Sequence, residues 1–182
     1  MERLKPAFFV VSGMILIAAF SRLIPHWPNF TAVAAIALFG GARLANKFTA
    51  FMIPLAALFL TDLILGFHNS MIFVYLAFAI TVILGISISK QRNFAAIGLT
   101  AAGASVIFFL ITNFGAWLAM PFYPNDLSGL VMAYTAGLAF FHDGAMGISP
   151  FINSLMGDLF YTFVLFGVYA LVQKQVPVLQ RA

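Results

Sequence analysis

The chain alternates between long apolar runs and short polar stretches. Six of these runs are long, or nearly long, enough to cross a bilayer as helices, which takes about 20 apolar residues each. The runs are bounded by turn-forming residues such as Pro25 and Pro28. The pattern therefore predicts an all-α integral membrane protein, a six-transmembrane-helix bundle with spans at residues 6–24, 30–46, 48–66, 71–89, 94–120 and 149–173.

Two segments of this pattern allow more than one interpretation. Residues 127–141 form a moderately apolar stretch within the longest connection, and about 15 residues are too few for a full span. We expect a short interfacial or re-entrant helix there, with a seventh span as the alternative. The first run follows Arg3 and Lys5 as in a signal peptide, but no small-x-small cleavage site comes after it. We expect a retained first helix, a second helix capped by Thr31, and a single membrane domain over residues 1–182.

Composition supports the membrane assignment and excludes several classes of protein. Hydrophobic residues make up 63% of the chain and charged residues only 8%, against about 25% charged in an average soluble protein. So few charges cannot cover a water-facing surface. The absence of cysteine excludes disulfides and thiolate metal sites. No phosphate-binding loop or catalytic motif is present, so we expect neither an enzyme nor a bound cofactor.

The basic residues indicate how the bundle is oriented. In a soluble protein the net charge of +4 could indicate nucleic acid binding, but here the cations sit in short loops between spans. Six spans place all of the lysines and arginines except Arg22 on one side, and lysine and arginine favour the cytoplasm. We therefore expect both termini in the cytoplasm and no nucleic acid partner. The residues on this side are Arg3, Lys5, Arg43, Lys47, Lys90, Arg92, Lys174 and Arg181.

Carboxylates and amides collect toward the other side of the predicted bundle. Asp62 lies about one turn inside the third span, and Asp158 lies about ten residues into the last span. An ionisable group at such a depth costs about 2.5–3.5 kcal/mol on insertion scales and is usually turned inward and partnered. The first interpretation is a polar wall of an outward-facing cavity. The alternative is a structural ion pair, for example between Asp62 and Arg22.

Spacing groups other polar residues beside aromatic rings. Asn113 and Trp117 are four residues apart on the fifth helix, and Asn153, Gly157, Asp158 and Tyr161 share one face of the last. Amides and carboxylates next to aromatic rings suit a small, flat, heterocyclic ligand. A metal site built from His142, Asp143, His68 and Asp62 is a rival interpretation. The chain has no tight metal-ligand spacing such as His-Glu-x-x-His, which weighs against a metal.

Several short motifs resemble two related groups of membrane proteins. The motifs are Arg22-Leu-Ile-Pro-His-Trp-Pro-Asn-Phe-Thr31, Leu60-Thr-Asp-Leu-Ile-Leu-Gly66, Asn113-Phe-Gly-Ala-Trp117 and Gly157-Asp-Leu-Phe-Tyr161. They resemble a family of small uncharacterised bacterial membrane proteins and, more loosely, the substrate-binding S components of energy-coupling factor (ECF) vitamin transporters. The resemblance implies a six-helix S-component fold in the bacterial cytoplasmic membrane with a ligand pocket near the outer surface. It also implies that transport needs a membrane coupling subunit and two ATPases.

The chain departs from the S-component pattern in two respects. S components contact the coupling subunit through an Ala-x-x-x-Ala spacing on the first helix, and this helix has Ser12, Gly13, Ala18 and Ala19 instead. The nickel and cobalt members carry an N-terminal histidine, which is absent here.

We therefore expect a substrate-binding membrane subunit of a micronutrient importer. The alternatives are a scaffold or assembly protein of a cell-wall complex, in which the carboxylates are purely structural, and an intramembrane enzyme or metal-binding protein. The candidate substrate-binding residues are Asp62, Asn113, Trp117, Asp158 and Tyr161, with Arg22, His26 and Asn29 at the lid.

Overall fold

The computed structural model describes residues 6–139 and 149–176, and this part of the chain is all-α. A single 3-10 turn, Ser21–Leu23, extends the first helix. The seven helices are α1 (Pro6–Phe20), α2 (Val33–Arg43), α3 (Lys47–Leu65), α4 (Met71–Ser87), α5 (Phe94–Ala119), α6 (Leu127–Leu138) and α7 (Pro150–Gln175).

Four of the described helices are long and apolar enough to cross a membrane. They are α1 with its 3-10 turn, α3, α5 and α7. These four helices confirm the prediction that the chain has several helices able to cross a membrane. The other two predicted spans are shorter: α4 has 17 residues, and α2 has 11, or about 16 Å of helix against a hydrocarbon thickness of about 30 Å. The stretch predicted as interfacial forms the 12-residue helix α6.

Polar side chains explain where several helices begin. The Asn46 side chain accepts hydrogen bonds from two backbone N–H groups in the first turn of α3. Asp126 caps α6 in the same way, and the hydrogen bonds donated by the Gly129 N–H and the Ser128 hydroxyl lower the pKa of its carboxyl. The expected cap of α2 is wrong. This helix begins at Val33, after Ala32, and no side chain next to it in the sequence caps it.

Helix α2 is the centre of the bundle. All of its residues except Arg43 are buried, and it packs against α1, α3, α4, α5 and α7. It consists mostly of alanine, glycine and other apolar residues, so neighbouring backbones approach it closely. Large apolar side chains lie on the outside instead: Leu99 and Ile17 are each 76% exposed, and Phe9 is 61% exposed. Small residues inside and large apolar residues outside are typical of a protein surrounded by lipid.

Six helices run alternately up and down. The starts of α1, α3 and α5 lie around one cavity together with the ends of α2, α4 and α7. We call this end of the bundle the basic end, because Arg43, Lys47, Lys90, Arg92 and Lys174 line the cavity. The opposite end carries the connections 24–32, 66–70 and 120–126.

The crossing of α2 and α4 depends on two facing glycines. A Cβ atom added to Gly85 would overlap the carbonyl oxygen of Leu38, and one added to Gly41 would overlap the carbonyl oxygen of Val82. Backbone atoms of two packed helices cannot give way as a side-chain end can. We expect Gly85→Ala to lower the free energy of unfolding by about 1–3 kcal/mol, measured by denaturant titration in mixed micelles.

A second glycine provides the control for this substitution. A Cβ atom at Gly103, in the interior of α5, meets no atom within 4 Å. Gly103→Ala is therefore expected to stabilise the protein by up to about 1 kcal/mol, because alanine loses less backbone entropy in a helix. Equal effects of the two substitutions would contradict the close α2–α4 crossing.

Candidate functional site

One face of α7 holds the non-helical connection 24–32 and the start of α2. The Asn153 side chain, only 1% exposed, donates a hydrogen bond from Nδ2 to the Pro28 carbonyl at 3.0 Å. One turn further on, a Cβ atom at Gly157 would collide with backbone atoms of Thr31. The glycine therefore lets the connection lie directly against α7. The predicted shared face of Asn153, Gly157, Asp158 and Tyr161 is confirmed, since all four contact this segment.

Asp158 provides the cap that α2 lacks in its own sequence. Its side chain, in a residue 3% exposed, accepts a hydrogen bond from the Ala34 backbone N–H at Oδ1, at 3.2 Å. The hydroxyl of Ser105 on α5 donates to Oδ2 at 2.6 Å. The first N–H groups of a helix have no partner within it and carry partial positive charge, so an acceptor there stabilises the helix. Asp158 thereby connects α7, α5 and the first turn of α2.

Asp62 belongs to a second polar cluster, at the end of α3. Arg22 donates from one guanidinium nitrogen to Asp62 Oδ1 at 3.0 Å and to the Thr61 hydroxyl at 2.6 Å. The Tyr75 hydroxyl donates to Oδ2 of the same carboxylate at 3.0 Å. The Arg22 and Asp62 side chains are 14% and 9% exposed, so this is a largely buried ion pair. The cluster ties the end of α1 to α3 and α4.

Two other predicted site residues lie apart from both carboxylates. Asn113 donates to the Phe109 carbonyl of its own helix at 2.9 Å and lies against Gly137 of α6. The indole N–H of Trp117 donates to the Pro124 carbonyl at 2.8 Å. The contacts of Asn113 with Gly137 and of Trp117 with Pro124 therefore hold α6 and its preceding connection against α5.

The predicted lid residues His26 and Asn29 lie on the exposed connection 24–32. A ring nitrogen of His26 lies 2.7 Å from the Ile24 carbonyl. Asn29 has a φ angle of +64°, a left-handed conformation that asparagine tolerates better than most residues. Both residues shape the connection locally.

An aromatic pocket opens on this same connection. It has a volume of about 420 Å³, is widely open, and is lined by Pro25, His26, Trp27 and Phe30. The Phe30 ring centroid lies 6.1 Å from that of Trp27 and 6.2 Å from that of Tyr161 on α7. The Trp27 ring packs against Phe30, and Phe30 packs against Tyr161, so these rings offer a surface for stacking a flat molecule.

A larger cavity lies at the basic end. Its volume is about 1250 Å³, and it is partly open. The described residues that line it include five lysines and arginines and no aspartate or glutamate. The sequence-based prediction did not anticipate a cavity here, because the clustered cations were attributed to membrane topology alone.

The metal hypothesis finds no support in the part of the chain that the structure describes. No group of three histidine or carboxylate side chains there could hold a metal ion. Two members of the predicted set, His142 and Asp143, lie outside the described residues.

Sequence reasoning missed three hydroxyl groups of these clusters. Ser105 and Tyr75 donate to the carboxylates of Asp158 and Asp62, and Thr61 accepts from Arg22. A hydroxyl group in an apolar span is a weak signal, because such groups commonly bond to the preceding turn of their own helix, as Thr61 also does.

These features define an all-α protein whose apolar helices have the length and composition of a multi-pass membrane protein. The chain belongs to a family of unknown function, DUF6580, whose model matches residues 2–179. This agrees with the expected resemblance to an uncharacterised family. No curated protein and no solved structure matches the chain.

Proposed function

We propose that this protein is the substrate-binding membrane subunit of a micronutrient importer. It captures a small, flat, heterocyclic solute at the end of the bundle opposite the basic end. The observation that carries this proposal is the aromatic pocket of His26, Trp27 and Phe30 on the connection 24–32. The proposed orientation follows the positive-inside rule, with the basic end and both termini in the cytoplasm of a bacterial cell.

Buried polar contacts support the pocket from below. A connection between two helices is usually mobile, but this one is bonded to Asn153 and packed on Gly157, and α2 directly after it is capped by Asp158. Binding to a surface that is already ordered costs less conformational entropy. In this proposal Asn153 and Asp158 are positioning residues, and the rings contact the solute.

The short central helix fits a transport function. Transporters commonly build sites from interrupted helices, and non-helical backbone at membrane depth is tolerated where protein surrounds it. Here α1 and α2 are separated by the connection 24–32, and the start of α2 faces a buried carboxyl group. Since the sequence has no nucleotide-binding motif, we propose a membrane coupling subunit and ATPases as partners.

The pocket assignment predicts the loss of a co-purified solute. Protein purified from native membranes is expected to carry a small molecule that native mass spectrometry detects. Trp27→Ala, which removes one wall of the pocket, is expected to weaken the affinity for this molecule at least about fivefold, and so to lower the amount retained, since one stacked ring contributes about 1–3 kcal/mol. Phe122→Ala removes an exposed aromatic side chain outside the pocket and is expected to retain the solute. Equal loss in both variants would contradict the pocket assignment.

A scaffold function is the second candidate, and one observation favours it. Both oxygens of Asp62 and both of Asp158 already accept hydrogen bonds from the protein, as expected if these residues serve only to join helices. Affinity purification from native membranes separates the two functions. ATPases and a membrane coupling subunit among the recovered proteins support an importer, whereas cell-wall enzymes support a scaffold.

A further inference from the structure

His26 lies in the wall of the aromatic pocket, and one of its ring nitrogens is already bonded. Nδ1 of this side chain is 2.7 Å from the Ile24 carbonyl oxygen. A backbone carbonyl oxygen only accepts hydrogen bonds, so Nδ1 must carry the hydrogen and donate it. In a neutral imidazole one ring nitrogen donates and the other accepts. The contact with Ile24 therefore makes Nε2 the acceptor of this side chain.

The backbone on both sides of His26 is held by further hydrogen bonds. The Ile24 N–H donates to the Ser21 carbonyl at 3.2 Å, and the Phe30 N–H donates to the Trp27 carbonyl at 2.9 Å. The first bond holds the residue that receives the Nδ1 hydrogen, and the second closes the turn between the two neighbouring rings. The imidazole therefore extends from a restrained backbone, and its own bond to Ile24 restricts rotation of the ring.

The position of His26 complements the rings beside it. His26 is exposed and lines the same hollow as Trp27 and Phe30, whose planes are almost perpendicular, at 86°. Stacking on such rings does not discriminate among flat solutes, because every aromatic heterocycle has a π face. A hydrogen-bond acceptor in the pocket wall does discriminate, because a solute with a donor satisfies it and an analogue without one leaves it unpaired.

We propose that the solute held in the aromatic pocket is a flat heterocycle with a ring N–H group, and that Nε2 of His26 accepts a hydrogen bond from this group. The inference rests on the function proposed above, because it assigns the chemistry of the same pocket. His26 is then the residue that selects among flat solutes, whereas the rings of Trp27 and Phe30 contribute affinity for all of them.

A matched pair of probes tests this selectivity. Benzimidazole has a ring N–H, and in 1-methylbenzimidazole a methyl group replaces that hydrogen. Isothermal titration calorimetry with the full chain in lipid nanodiscs measures both affinities at about pH 8.5, above the range in which histidine usually titrates. Titration of empty nanodiscs corrects for probe that enters the lipid. Benzimidazole is expected to bind about fivefold more tightly, as one hydrogen bond provides. Equal affinities would overturn the inference and leave the pocket assignment intact.

Two variants locate the source of the preference. His26→Phe keeps a ring at an exposed position but has no acceptor, so we expect it to bind both probes about as the parent binds 1-methylbenzimidazole. A preference for benzimidazole that persisted in this variant would come from another residue or from crowding of the methyl group, and would overturn the inference.

Trp27→Ala tests the pocket itself and is expected to weaken both probes alike, at least about fivefold. If the parent bound neither probe, or if Trp27→Ala changed neither affinity, the aromatic pocket would not be the binding site. That result would contradict the proposed function as well as the role of His26.

Discussion

Replacing Asp62 by alanine is expected to lower the free energy of unfolding by about 3–5 kcal/mol, the largest effect of any substitution considered for this protein. The substitution leaves the Arg22 guanidinium largely buried beside Thr61 without its counter-charge, and it removes the acceptor of the Tyr75 hydroxyl. An unpaired charge in an apolar surrounding is costly because neither water nor lipid can solvate it there. Denaturant titration in mixed micelles measures the loss.

Two further variants separate the charge effect from the hydrogen bond. Tyr75→Phe removes only one donor to Asp62 and is expected to cost about 1 kcal/mol. The double variant Arg22→Met with Asp62→Leu removes both charges and replaces them with apolar volume, so it is expected to be more stable than Asp62→Ala. The single variants Arg22→Met and Asp62→Leu complete the cycle. If the double variant lost as much stability as the sum of these two, the ion pair would not be what holds α1 to α3.

The long apolar helices could be predicted from the sequence because the membrane imposes a simple rule on them. The predicted spans 48–66 and 94–120 correspond to Lys47–Leu65 and Phe94–Ala119. Apolar length and turn residues determine such boundaries almost alone. The second span is the exception, since residues 30–46 were expected and only Val33–Arg43 is helical.

The reason for this exception lies in tertiary contacts. The first part of the expected second span is Phe30, Thr31 and Ala32, and it carries no helix-breaking residue. It is held in a non-helical conformation by α7, where Gly157 leaves room for its backbone. Such an interaction joins residues more than 120 positions apart, and no local pattern in a single sequence encodes it.

The candidate site was predictable in part. Which of its contacts could be predicted, and which could not, has a physical explanation. Two buried carboxylates and one arginine in an apolar chain must find partners, so the pairing of Arg22 with Asp62 could be named in advance as an alternative. The partner of Asp158, the Ala34 backbone N–H, could not be named in advance, because nearly every residue carries a backbone N–H. The same limitation applied to the basic cavity: lysine and arginine positions reveal the membrane side but not whether the side chains surround a hollow.

The role of Asp158 as a cap for α2 leads to the second large effect. Asp158→Ala removes the acceptor for both the Ala34 N–H and the Ser105 hydroxyl, and leaves two buried donors without a partner. Each such loss costs about 1–3 kcal/mol, so we expect the free energy of unfolding to fall by about 3 kcal/mol in total. Because α2 packs against five other helices, the loss of its cap is expected to lower the stability of the whole bundle, while the local opening stays at the first turn of α2.

Hydrogen exchange distinguishes a cap from a residue that only fills space. In Asp158→Ala the amide of Ala34 is expected to exchange faster than in the parent protein, while amides in the middle of α3 stay protected. Ser105→Ala removes only the hydroxyl contact, so it is expected to cost about 1 kcal/mol and to leave the Ala34 amide protected. Asp158→Asn retains an acceptor oxygen. Its loss of stability and its exchange rate at Ala34 are expected to lie between those of Asp158→Ala and Ser105→Ala. Unchanged exchange at Ala34 in Asp158→Ala would show that α2 begins without help from α7.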